Sequence, residues 1–298
     1  MKKLLYFLIP VALWSCEDVI DFSVGEPGSS QLVVDAMLTN EDTLQVVQLS
    51  LSQPYFSSSG FVPATKAQVF VFSEDSTQYI FQETSPGKYV YDPKVKGRLN
   101  EIGKRYALYV NYRGEEYAAL SALRRVPRID SVTYSFIEFP FAVNDSTPRT
   151  GYVAQFYAFD PIGLGDTYWV RSARNGRYRN APNQITLAYD AGFSPGSQSD
   201  GLLFIQPIRQ SINDGLYQEG DRIRVDLHAI PNETWFFLSL VRQESGNGGL
   251  FAVPSSNIPT NLVNLNSQSK EKALGFFSMS TVSRFETVVR KEEARPTP

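Results

Sequence analysis

The chain has 298 residues, with 28 Lys+Arg against 31 Asp+Glu and a formal net charge of -3 at pH 7. It is long enough for two modest domains and lacks the basic excess that a nucleic-acid partner requires. A single cysteine, Cys16, and a single histidine, His228, exclude a disulfide within the chain, a Cys/His zinc site and any catalytic pair of imidazoles.

Lys2 and Lys3 precede an apolar run from Leu4 to Trp14, which has the length of a secretory signal and is too short to span a bilayer. The run closes on Leu13-Trp14-Ser15-Cys16, which resembles the bacterial lipobox except for the bulk of Trp14. Residues 1–15 are therefore expected to be a cleaved lipoprotein signal peptide, with Cys16 the mature N-terminus and the point of lipid attachment. Each buried methylene contributes about 0.8 kcal/mol, so the several acyl chains of a lipoprotein cysteine anchor effectively permanently. Glu17 and Asp18, followed by Asp21, resemble the acidic export signal that sends Bacteroidota lipoproteins to the outer face of the outer membrane. Residues 16–30 have little to bury and read as a flexible tether reaching roughly 50 Å when extended.

From residue 31 the hydrophobic period is two. Val47, Leu49 and Leu51 alternate with Gln48, Ser50 and Ser52, the mark of a strand with one buried face. Further strands are predicted at Val69–Phe72, Tyr79–Phe81, Tyr89–Tyr91 and Tyr106–Tyr112, the last turning through Arg113-Gly114 into Tyr117–Leu123. About seven short strands with frequent turns predict an antiparallel sandwich over 31–128, immunoglobulin-like or transthyretin-like. Arg124-Arg125-Val126-Pro127-Arg128 breaks the pattern and places a junction there.

A second, mainly β sandwich is expected over 129–289, with strands at Val132–Phe136, Tyr152–Phe159, Tyr168–Ser172, Leu202–Ile205, Ile223–Ile230 and Ala273–Ser283. Within it, Pro231-Asn232-Glu233 opens a helix near 232–245, with Asn232 as its cap and Trp235–Val241 beneath. A buried strand is the alternative for that apolar run. The charged, proline-ended segment 290–298 reads as a frayed tail.

The catalytic motifs fail on mechanism. Gly192-Phe193-Ser194-Pro195-Gly196 has the spacing of a nucleophile elbow and precedes His228, but Pro195 has no N–H to give an oxyanion. His228 alternates with Leu227 and Ala229, which places it outward with Arg222, Arg224 and Asp226 as a solvated side chain. Ser85-Pro86-Gly87-Lys88 and Ser267-Gln268-Ser269-Lys270 have Ser-x-x-Lys spacing without a helix, and Gly163-Leu164-Gly165 lies between strands, where no helix dipole awaits a phosphate. The carboxylates are scattered, so neither a metal loop nor a glycosidase pair can be assigned. No catalytic residue, metal or cofactor is expected.

One cluster invites binding. Trp169 to Asn180 reads as a hairpin turning on Asn175-Gly176. Parity sets Arg174 opposite Arg177 and Ser172 opposite Arg179, so three cations share one face while Trp169, Arg171 and Tyr178 share the other. Arg174, Arg177 and Arg179 are the candidate contacts for an anion or an acidic partner.

Nearly end to end, the chain resembles the Bacteroidota outer-membrane lipoproteins catalogued as domain of unknown function 4249. The resemblance rests on the lipobox cysteine with its acidic stretch, Leu32-Val33-Val34-Asp35-Ala36 leading into Val47-Gln48-Leu49-Ser50, and Val126-Pro127-Arg128-Ile129-Asp130-Ser131-Val132. It continues in Phe159-Asp160-Pro161 with Tyr168, Asn257-Ile258, and Ala273-Leu274-Gly275-Phe276-Phe277-Ser278. It implies a surface lipoprotein beside a TonB-dependent transporter, a non-enzymatic accessory that captures ligand or assembles the complex; it carries over no catalytic residue and leaves the oligomeric state open. The alternatives are an adhesive or structural surface module that binds glycans or other cells, and, more remotely, a carboxylate-based hydrolase. Thr43, Ser76, Ser131 and Ser146 stand in triplets that resemble the O-glycan acceptor sites of that phylum.

Overall fold

A computed structural model describes residues 30–53, 60–141, 148–247 and 257–296. The signal peptide, Cys16, Glu17, Asp18 and Ser146 lie outside the described residues. Seven strands come first: β1 (Leu32–Thr39), β2 (Gln45–Leu51), β3 (Gln68–Ser73), β4 (Gln78–Ser85) and β5 (Lys88–Tyr91), then a short helix α1 (Pro93–Lys96), then β6 (Arg105–Tyr112) and β7 (Glu115–Ala122). The hairpin β8 (Ser131–Glu138) and β9 (Thr150–Tyr157) follows, then β10 (Thr167–Arg174), β11 (Arg177–Tyr178) and β12 (Thr186–Tyr189). The chain closes with α2 (Gln206–Gln210), β13 (Arg222–Ile230), α3 (Asn232–Ser245), β14 (Val263–Asn264) and the 16-residue β15 (Ala273–Val288).

The strands form where alternation gives them one face to bury. In β6, Tyr106, Leu108, Val110 and Tyr112 point inward while their neighbours remain partly open. Arg113-Gly114 and Asn175-Gly176 both take positive φ at their two central residues, the backbone of a type I′ turn, whose twist matches that of the strands it joins.

One large sheet runs in the order β11-β10-β13-β15-β1-β2-β5-β4-β3-β6-β7-β14, with β12 paired to β10. Its pairs are antiparallel except β1 with β15, so the sheet is mixed where the sequence predicts only antiparallel pairing. The first seven strands curl around one core until β7 returns to the start of β15. There Ser121 Oγ accepts from Met279 N at 2.9 Å, and the Asn261 side chain bridges β15 at Phe277.

The chain changes core near the expected junction: side chains up to Leu123 fill the first cluster and those from Ile129 fill a second. Leu262, Ala273, Phe277 and Met279 nevertheless complete the first. In the second core the separate two-stranded sheet β8-β9 packs Tyr134, Ala154 and Phe156 against Tyr168, Val225 and Leu227.

Three local expectations differ from the fold. The strand expected over Leu202–Ile205 reduces to one bridge between Phe159 and Leu203. In α3, Pro231 occupies the cap position and Asn232 is the first helical residue, its Oδ1 receiving the Thr167 hydroxyl at 3.0 Å. The tail is docked instead of frayed over 290–296: Lys291–Glu293 form a 3-10 turn, Arg295 N donates to Tyr134 O at 2.9 Å, and Ala294 packs on the second core.

The β1–β15 seam depends on Gly275, which lies opposite Val34 at φ +91°. A Cβ there would stand 1.9 Å from the Val34 carbonyl oxygen, and an L side chain is strained at that φ whatever the space. Gly275→Ala is expected to destabilise the protein by more than about 3 kcal/mol, read as a lowered urea midpoint or loss of folded protein; a change below about 1 kcal/mol would contradict the packing described.

Candidate ligand-binding site

Register brings chemistry together on one face of β10, β13 and β15. Trp169 lies opposite His228, which lies opposite Val282; Arg171 lies opposite Asp226, which lies opposite Arg284. The alternate residues, Val170, Val225 and Leu227, belong to the second core. The polar face looks the other way, and the β1–β2 connection brings Glu41 and Thr43 beside it, with Gln45 at the start of β2.

This burial corrects the expectation for His228. Only 1% of Asp226 and 5% of His228 is exposed, because β13 is covered on both faces from Val225 to Ile230. Alternation identifies one buried face of a strand; it is silent on whether another layer covers the second.

Asp226 is the electrostatic centre of the face. Its carboxylate receives Arg284 Nε at 2.6 Å, Arg224 Nε at 3.1 Å and the Tyr178 hydroxyl at 2.5 Å. Burial acts to raise the Asp226 carboxyl, but these donors outweigh it and hold the group below the usual carboxylate range. Tyr178 is pushed up to about 12 by burial and by its bond to Asp226. Arg284 also grips Glu41, at 2.6 and 2.9 Å, tying β15 to the β1–β2 connection.

His228 donates to or accepts from Ser280 Oγ at 3.0 Å through Nδ1, stacks near Trp169 at 5.6 Å between ring centroids, and leaves Nε2 without a partner among the described residues. Burial, reinforced by the positive charge of Arg171, lowers it to about 3.

Asp226→Asn strands Arg284 and Arg224 without their shared anion, and a loss of about 3 kcal/mol is expected in urea unfolding; a loss below 1 kcal/mol would show that the pairing contributes little. The His228 effect has a definite sign. The unfolded chain binds a proton near pH 6.5 that the folded chain refuses down to about 3, so stability is complete above 6.5 and declines as pH falls through that window, by about 2 kcal/mol between pH 6.5 and 5. The one imidazole signal should remain that of the neutral ring at pH 5 in NMR, and His228→Gln should flatten the stability slope; titration of the folded protein near 6.5 would contradict the burial.

Beside this face lies a groove of about 440 Å³, walled by Asp35 and Met37 of β1, Trp169 to Ser172 of β10, the segment Arg179–Thr186, Ser211, and Leu238 and Val241 of α3. Helix α3 is fixed over the sheet by Phe237 stacked on Phe276 at 4.3 Å and by buried Leu238. The apolar wall is Trp169, Ile185 and Leu238. Arg171 enters between the Trp169 and Tyr178 rings, 4.8 and 4.7 Å from their centroids, and donates to Asn180 Oδ1 at 3.2 Å. Burial lowers its pKa, against the opposing pull of Tyr178 and Asp226. Asp35 opens onto the groove, and desolvation by the surrounding walls raises its carboxyl.

The structure separates the predicted cation cluster. Arg174 does face Arg177 across the turn, but its guanidinium is taken by Asp221 at 2.5 Å and Asp214 at 3.6 Å over the Tyr217 ring. Arg177 is exposed. Arg179 bonds the Ser211 carbonyl and lines the groove, where it meets Arg171, which parity assigns to the opposite face of the hairpin. Parity does place Arg171 with Trp169 and Tyr178, whose rings flank it; the walls from β1 and α3 that make a groove beside it leave no sequence signal. Thr43 and Ser76 are exposed on connections, and Ser131 is half-buried at the start of β8. Ser194 stands in an irregular loop, while His228 is enclosed in the sheet face.

Asp160, Asp190 and Asp200, far apart in sequence, bring carboxylate oxygens within 4.8 Å of one another. Among the described residues these are the ones placed to hold a hard cation, which takes oxygen ligands. Their oxygens already accept from Tyr168 Oη at 2.5 Å and from the backbone N–H groups of Gly201, Gly165, Asp166 and Gly163. Burial pushes Asp160 up to about 6.

A family model described as Domain of unknown function (DUF4249) matches residues 17–286, and the chain belongs to that family. None of the curated proteins matches the chain.

Proposed function

We propose that this member of the DUF4249 family is a non-enzymatic lipoprotein, moored through Cys16 on the outer face of the outer membrane, that captures a ligand for a TonB-dependent transporter. The observation that carries ligand capture is the groove beside Arg171: its volume of about 440 Å³ is that of a small-molecule site, with Trp169, Ile185 and Leu238 as apolar cover and Arg171, Arg179 and Asn180 among the polar groups that line it. The mooring is argued from Leu13-Trp14-Ser15-Cys16 and the acidic residues after it. A role without catalysis agrees with Pro195 behind Ser194, where no N–H is available to an oxyanion.

Two measurements test the proposal. Labelled palmitate should enter the wild-type chain and fail to enter Cys16→Ala, and a C-terminal tag should recover a β-barrel transporter after mild detergent extraction. Unlabelled wild-type protein would remove the anchor, and recovery of the lipoprotein alone under mild extraction would remove the transporter partner.

A further inference from the structure

We propose that the groove selects an organic carboxylate with an apolar body, Arg171 and Arg179 taking the carboxylate while Trp169, Ile185 and Leu238 cover the body. This rests on the ligand-capture reading above and names what that site binds.

The argument begins from uncompensated charge. A guanidinium partly withdrawn from water is paired most favourably with an anion, and Arg171 and Arg179 are both half-buried. Among the described residues, the carboxylate opposite Arg171, Asp226, is committed to Arg284, Arg224 and Tyr178. Arg171 instead has two aromatic faces and the Asn180 side-chain oxygen, and its Nε is closed off without a partner. Arg179 has the Ser211 carbonyl, and its Nε is likewise unpartnered. The Ser211 hydroxyl, on the same wall, is buried with no partner. Arg171 and Arg179 thus line the groove with a single acid, Asp35.

The shape of the site narrows the ligand. A bare inorganic anion would leave the indole of Trp169 and the aliphatic wall uncovered, and an uncharged apolar molecule would leave both guanidinium groups unpaired. A carboxylate suits the planar fork of arginine, which donates two parallel N–H bonds to it. An apolar body of a few carbons to one aromatic ring fits beside Leu238 within about 440 Å³.

The probe is 3-phenylpropionate, with 3-phenylpropanamide as its uncharged twin, each titrated against the full acylated protein in lipid nanodiscs by saturation-transfer NMR. Saturable binding of the acid, at least tenfold weaker binding of the amide, and a tenfold or greater loss in Arg171→Gln and in Arg179→Gln are expected. Arg177→Gln, exposed on the same hairpin, should bind as wild type. The acid–amide comparison needs no variant, so a misfolded Arg171→Gln does not spoil the test. Equal binding of the two probes, no saturable binding of the acid, or full binding by folded Arg179→Gln overturns the proposal. Transporter recovery from the same preparations separates the two readings: a barrel recovered without acid binding overturns the carboxylate site alone, and acid binding without a barrel overturns the transporter role alone.

Discussion

The parallel pairing of β1 with β15 is the constraint on which the rest of the molecule depends. Parallel neighbours require a crossover, and here nearly the whole described chain is that crossover, from Thr39 to Ala273. The first half of β15 closes the first core with Phe277 and Met279, and its second half continues beside β13 against the second. The close approach of backbones at Val34 and Gly275 is what permits the seam, so one residue without a Cβ supports contacts made by both ends of the chain.

The candidate site is a consequence of that seam. With β15 between β1 and β13, the β1–β2 connection is carried over the polar face, and Glu41 reaches Arg284. That cover leaves Asp226 and His228 buried and the arginines around them half-buried. Inside it the charges are unevenly matched: Asp226 accepts from Arg284, Arg224 and Tyr178, whereas Arg171, its neighbour in register, has among the described residues two ring faces and the Asn180 amide oxygen. Removing the buried Asp226 carboxylate from such a cluster is costly because two half-buried cations lose the partner they share.

Much of the architecture is legible in the residue pattern. Alternation in Val47-Gln48-Leu49-Ser50-Leu51 and in Tyr106 to Tyr112 identifies strands because the period of two is local. Asn175-Gly176 fixes the hairpin and the opposition of Arg174 to Arg177 because turn geometry sets register over the few residues that follow. Pro231 and the run to Val241 locate α3, although only a stripe through Thr234 and Leu238 is fully buried.

The sequence by itself determined the mainly β class, the turn positions and the helix after β13, all properties set by neighbours along the chain. The tertiary structure alone decided that His228 and Asp226 are buried, that Arg174 is neutralised by Asp221, and that Arg171 and Arg179 share a groove. Burial of a strand's second face and the pairing of charges depend on which distant segment lies across them, and the parallel seam between the two ends of the chain leaves no periodic trace in either segment.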